Sequence, residues 1–179
     1  MNGPILILSG VPGTGKSSLA RTWLKTFPRG LHLPVDDLRE LVVSGTAHPS
    51  LNGDPEAAHQ FVLARRLAFT GASLYARAGF AVALDDVLRP HDPDALQAEL
   101  LDGLSVTRVF LSAQLDTVLK RNRERTGKPF EPETLEPIIQ ALHAALSPAD
   151  FVAAGWQVVG SEGRALGQTL EQVLALTGA

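Results

Sequence analysis

Apolar residues follow two rhythms along this chain, short unbroken runs and longer stretches at helical spacing, and the two alternate from end to end. The short runs are residues 4–8, 31–35, 80–84, 106–111 and 157–159. Bounded by Gly, Pro or Asp, such runs read as buried strands. Between them, residues 16–27, a segment beginning at Asp36-Asp37, 56–78, 94–101, 116–125, 132–146 and 166–176 read as helices. In the longest, Phe61, Leu63, Ala64, Leu67, Ala68, Leu74 and Tyr75 are expected mostly on the core side, and Gly79 stops the helix. Residues 44–55 hold two Pro, two Gly and one Asn with little periodicity, so they read as a long connector. Alternation of this kind implies an α/β fold, a parallel sheet covered on both faces, with its binding site at the carboxyl ends of the strands.

Length and composition narrow the class. The chain has 179 residues, enough for one domain over residues 1–179 with a sizeable core, and its 45% hydrophobic and 20% charged content is ordinary for a globular protein. No cysteine occurs, which excludes disulfides, thiolate metal sites and cysteine nucleophiles. Neither a secretory signal nor an apolar stretch of spanning length is visible, so no membrane association and a cytoplasmic location are expected. A formal charge of −3 speaks mildly against a nucleic-acid backbone as the main partner. One basic cluster runs against that balance: Lys120, Arg121, Arg123, Arg125 and Lys128.

The first strand leads into Gly10-Val11-Pro12-Gly13-Thr14-Gly15-Lys16-Ser17, which fits the phosphate-binding pattern G-x-x-x-x-G-K-[ST]. At average usage its four fixed positions coincide by chance in a chain of this length less than about once in a hundred. The pattern has a mechanism. Gly10, Gly13 and Gly15 let the backbone curl until successive N–H groups point inward, Thr14 and Ser18 belong to the same cradle, Lys16 can reach the terminal phosphates, and the Ser17 hydroxyl can ligate Mg²⁺. The following helix adds its positive end. ATP and Mg²⁺ are thus the expected cofactors. Guanine specificity lacks an N-K-x-D-like reader, and a dinucleotide site lacks the third glycine of G-x-G-x-x-G.

Asp36 and Asp37 are expected to end the second strand, on the same rim as the loop. Asp36 is the candidate general base toward an attacking hydroxyl, and Asp37, three residues before Glu40, resembles a helix cap. Arg39, one turn on, is the candidate contact to an anionic substrate group. Asp85-Asp86 closes the third strand, where either carboxylate can support Mg²⁺ directly or through water, with Asp85 the first candidate. Arg121 and Arg125 lie four apart on one helix and share a face that can close over a triphosphate. Thr126-Gly127-Lys128-Pro129-Phe130 adds a hinge-like tip, so residues 120–133 are expected to form a lid. His32, His48, His59, His91 and His143 show no metal-ligand spacing and are expected in structural or surface roles. Trp23 and Trp156 are expected to pack in or near the core.

These residues carry a resemblance. Gly10 to Ser17, Val35-Asp36-Asp37-Leu38-Arg39, Asp85 followed by Pro90, and Leu119-Lys120-Arg121-Asn122-Arg123-Glu124-Arg125 resemble the phosphate-loop small kinases, the group of chloramphenicol phosphotransferase, gluconate kinase, zeta toxins and the kinase domain of bacteriophage polynucleotide kinase. The resemblance spans residues 4 to about 145 and is nearest to the polynucleotide kinase. It implies a P-loop NTPase fold, with a five-stranded parallel sheet, flanking helices and a helical lid. It also implies transfer of the ATP γ-phosphate to a hydroxyl, with Asp36 as general base, Arg39 on the substrate side, and Arg121 and Arg125 on the transferring group. Asp85-Asp86-Val87-Leu88-Arg89 departs from the polynucleotide enzyme, lacking the polar Thr-Asn after its aspartate. A lone acidic domain suits a small-molecule hydroxyl substrate better than a polynucleotide 5′-hydroxyl, with an ATP-binding regulatory module as the reading from another class.

Overall fold

In the computed structural model, which describes residues 1–49, 53–124 and 132–178, the short apolar runs form one wholly parallel sheet. Its strands are β1 (Ile5–Ser9), β2 (Gly30–Pro34), β3 (Ala81–Asp85), β4 (Val106–Ser112) and β5 (Gln157–Gly160), in the order β2-β3-β1-β4-β5. The helices are α1 (Lys16–Leu24), α2 (Val35–Arg39), α3 (Pro55–Arg77), α4 (Asp94–Leu100), α5 (Leu115–Arg123), α6 (Pro132–Ala145), α7 (Pro148–Ala153) and α8 (Leu166–Thr177). Central strands β1 and β3 are buried at every position, which is why they read as unbroken apolar runs. The expected five-stranded α/β architecture is what the chain adopts.

Alternation along each strand divides the core in two. Leu6, Leu8, Ala81, Ala83 and Leu111 point to one face, where Leu19, Ala20 and Trp23 of α1 and Val173 of α8 cover them. Ile5, Ile7, Val82, Leu84 and Phe110 point to the other, under Ala64, Ala68, Phe69 and Ala72 of α3, Ile139 of α6 and Phe151 of α7. The helix after β1 therefore lies on one face, while α3, which leads into β3, lies on the other. The chain ends of β1 and β3 part at this point, and the crevice between them is where an open parallel sheet takes its ligand.

Two local expectations need correction. Asp36 and Asp37 do not end the second strand: β2 stops at Pro34, which occupies the cap position of α2, and both acids stand in that helix's first turn. Proline's fixed φ and missing N–H suit this junction, so Asp37 makes no side-chain cap. In α3, Leu63, Leu67 and Leu74 are exposed, as is Tyr75 to a lesser degree, because the buried stripe is Ala64, Ala68, Ala72 and Ala76 at four-residue steps. Small side chains there bring the helix close to the sheet and turn its leucines outward. Between the expected helix at 132–146 and the last strand, the structure adds α7, opened by Pro148 at its first turn. Trp23 and Trp156 are both buried, as expected. Among the described residues no helix is long and apolar enough to cross a membrane.

Candidate active site

At the carboxyl end of β1 the chain turns through the glycine loop into α1. Gly13 holds φ +92°, and a Cβ there would stand 2.7 Å from the Val118 carbonyl oxygen of α5, so only glycine lets the loop pass. Gly10 is equally confined, with the Leu111 carbonyl 2.6 Å from a would-be Cβ. Thr14 is buried and its hydroxyl donates to the Val11 carbonyl at 2.9 Å, bracing the loop from within. Ser9 donates to the Leu88 carbonyl at 2.9 Å and accepts from the Leu88 N–H at 3.0 Å, which fastens the end of β1 to the loop after β3.

A cavity of about 280 Å³ opens beside this loop, lined by Gly13, Gly15, Lys16, Ser17, Ser18, Pro34, Asp36, Asp37, Asp85, Val87 and Arg121 among others. The fold thus brings together the cradle, the acid at the end of β3, the acids at the start of α2 and an arginine of α5. Gly10 and Thr14 lie behind the cradle and shape it. Lys16 Nζ donates to the carbonyls of Gly10 at 2.7 Å and Val11 at 3.3 Å. Arg121 donates to the Ser161 carbonyl at 2.9 Å and hydroxyl at 3.2 Å, tying α5 to the end of β5 while it faces the cavity. Arg125 and the tip 126–130 lie outside the described residues.

The two acids at the end of β3 have opposite surroundings. Asp85 continues the face of Ala81 and Ala83, toward α1. Burial pushes its carboxyl upward, but the hydrogen bond from His32, the charges of Lys16 and His32, and a hydrogen bond from Ser17 outweigh that and hold it below the ordinary aspartate value. Asp86 continues the face of Val82 and Leu84, toward α3. Arg65 Nε of that helix donates to Asp86 Oδ2 at 2.6 Å, and the Val87 N–H donates to its other oxygen at 2.6 Å. Burial dominates there and pushes Asp86 upward, with Asp36 adding to it and Arg65 opposing.

Arg39, expected on the rim, is instead 4% exposed and absent from the cavity's lining. Its guanidinium donates to the Ala47 carbonyl at 2.6 Å, bonds to Glu40, and stands 5.0 Å from the Phe61 ring, with no partner for Nε among the described residues. It therefore braces the start of the connector, together with Gln60, which bonds Gly45 and Ala47. His32, read as structural or surface, instead bonds a cavity acid; its position on a short edge strand gave no hint of that partner. Arg65 was hidden in the same way, since its partner is 21 residues away in sequence.

The open space in front of Gly15, at φ +96°, and the convergence of Lys16, Ser17 and Ser18 fit a triphosphate. Ser17 and Asp85, which line the same cavity, fit one flank of a magnesium ion. Among the described residues no group of three His, Cys, Asp or Glu side chains could hold a metal alone. A magnesium ion here would accordingly complete its shell with phosphate oxygens and water.

A protein-family model described as an AAA domain matches residues 5–148. No curated protein sequence matches the chain. Among solved structures, the chain is similar to a tunicamycin resistance protein of Deinococcus radiodurans (TM-score 0.65, 22% identity, covering 98% of this chain and 96% of that one). It is also similar to a gluconokinase of Sinorhizobium meliloti 1021 (0.64, 19%, 99% and 92%) and a shikimate kinase of Bacteroides thetaiotaomicron (0.67, 14%, 98% and 99%). At these identities the likeness is one of fold, and it matches the phosphate-loop small-kinase resemblance carried by the motifs.

Proposed function

We propose that this chain, which belongs to the AAA domain family, is an ATP-dependent kinase that moves the γ-phosphoryl group of ATP to a hydroxyl of a small molecule. One observation carries the reading: a single cavity joins the phosphate cradle to Asp36, so donor and acceptor sides share one space. Neighbours in fold that are named as kinases of gluconate and shikimate support the small-molecule class.

When bound, ATP and Mg²⁺ supply the transferable group and much of its counter-charge. The protein's part is positioning and electrostatics. Backbone N–H groups from Gly13 to Ser18 orient the phosphates at the start of α1. Lys16 exchanges its loop carbonyls for terminal phosphate oxygens. Ser17 and Asp85 would hold the metal's protein side, and Asp85, its carboxyl kept below the ordinary aspartate value by its neighbours, suits that task. Asp36, exposed at the cavity wall, accepts the proton of the attacking hydroxyl. Arg121, with Arg125 by the motif, stabilises the charge spread over the equatorial oxygens in transit.

The test is a panel of sugars, nucleosides and other hydroxyl compounds with labelled ATP, plus single-stranded oligonucleotides at varied salt. Transfer to a small molecule is expected, and Asp36→Asn should lower its rate by about 10²–10⁴-fold while Mg²⁺–ATP affinity holds. Tight ATP binding without transfer to any acceptor, or an unimpaired Asp36→Asn, overturns the reading. Preferred transfer to strands with a salt-dependent affinity shifts it to polynucleotides.

A further inference from the structure

His32 lies on β2, the edge strand, outside the cavity lining, yet its ring is directed at the cavity's metal-side acid. In the β2–β3 ladder His32 stands opposite Ala83, and Pro34 opposite Asp85. His32 and Asp85 are therefore diagonal neighbours on one face, a separation that a ring-sized side chain spans. The Nε2–Oδ2 distance is 3.1 Å, and the side chains are 13% and 6% exposed. A carboxylate only accepts, so Nε2 carries the proton. A buried acid that must meet a cation needs its rotation fixed, because its free alternatives are not averaged by water.

We propose that His32 is a positioning residue for Asp85, holding one carboxylate oxygen so that the group meets the nucleotide-bound divalent cation in a fixed orientation. Histidine acts here on a carboxylate as outer-shell partners act on metal ligands elsewhere. The same contact joins β2, whose end carries Asp36 into α2, to β3, whose end carries Asp85. It therefore sets the metal side and the base side of the cavity relative to each other by a side-chain bond in addition to the ladder. Lys16 and Ser17 of α1 line the same cavity as Asp85, and His32 bonds the acid from the sheet edge. The inference rests on the proposed role of Asp85 in holding Mg²⁺.

The experiment measures Mn²⁺ binding to the ADP complex by electron paramagnetic resonance, and ADP binding without metal by calorimetry, for the full chain. His32→Leu should weaken Mn²⁺ binding by about tenfold, with metal-free ADP affinity unchanged. His32→Gln, whose amide nitrogen can replace Nε2, should return it to within about threefold of wild type. In an Asp85→Asn background, His32→Leu should cost nothing further, since its partner carboxylate is gone. Wild-type Mn²⁺ affinity in His32→Leu, or an equal loss in both backgrounds, overturns the positioning role. If His32→Leu fails to fold, His32→Gln against His32→Met in the two backgrounds reads the same coupling. Should Asp85→Asn and Ser17→Ala both bind Mn²⁺ as wild type does, the metal role of Asp85 falls, and this inference with it. Should they lose binding while His32→Leu does not, only the inference on His32 falls.

Discussion

Asp85 and Asp86 are neighbours in the chain, yet β-alternation sends one toward α1 and the phosphate loop and the other toward α3. Asp85 bonds a histidine at the wall of the cavity that Lys16 and Ser17 also line, and its carboxyl is held below the ordinary aspartate value. Asp86 meets a single arginine inside the core, where burial works against its charge. The difference teaches that one residue of register separates an acid that lines the cavity from one that pairs within the core. It also gives each a partner that is remote in sequence: His32 is 53 residues from Asp85, and Arg65 is 21 residues from Asp86.

The largest effect that sharpens this contrast is expected at the core pair. Arg65→Met leaves Asp86 buried without its counter-charge and should cost about 3 kcal/mol in urea unfolding. The double variant Arg65→Met/Asp86→Leu should recover most of that loss, because an apolar pair needs no compensation. Nucleotide affinity of the folded fraction should hold in both; a parallel loss would break the separation of the two acids. Next comes the spacing of α3. Ala68→Leu overfills the alanine stripe beneath that helix and should cost about 2 kcal/mol by the same measurement. Its binding of Mn²⁺–ADP should stay near wild type, since the phosphate side is carried by the other face.

Smaller effects come from pH, and their signs are opposite for the two acids. Asp85 has its folded pKa lowered, so its contribution is present above the ordinary aspartate value and lost as pH falls through the lowered one. Without metal, Asp85→Asn should be less stable than wild type near pH 7, and the difference should shrink as pH falls through the lowered value. Asp86 has its folded pKa raised, so its contribution is present at low pH and lost as pH rises through that raised value. Wild type should gain on Asp86→Asn as pH falls through that window. Parallel slopes for the two variants would break the contrast.

Much of the site was legible because its chemistry is local. The loop from Gly10 to Ser17 is contiguous, and strand ends place Asp36 and Asp85 on one rim once the alternation of strands and helices is read. Arg121 could be assigned to the same opening from its helix. Asp36's exact seat was not legible, because Pro34 ends the strand earlier than the apolar run does. Arg39 was not legible either: its burial depends on Ala47 and Phe61, whose approach is set by the connector and α3. In α3 itself the leucines attracted a core assignment, while alanines make the closer contact and occupy the core.

By itself the sequence determined the α/β order of elements, the phosphate cradle and the acids on its rim. Each depends on periodicity or on neighbours a few residues apart, and backbone geometry converts such patterns into structure with little help. Only the tertiary structure decided which of two adjacent aspartates faces the cavity, that His32 reaches it, and that Arg65 pairs with the other. Those outcomes depend on strand register and on the closeness of α3 to the sheet, which no short stretch of sequence encodes.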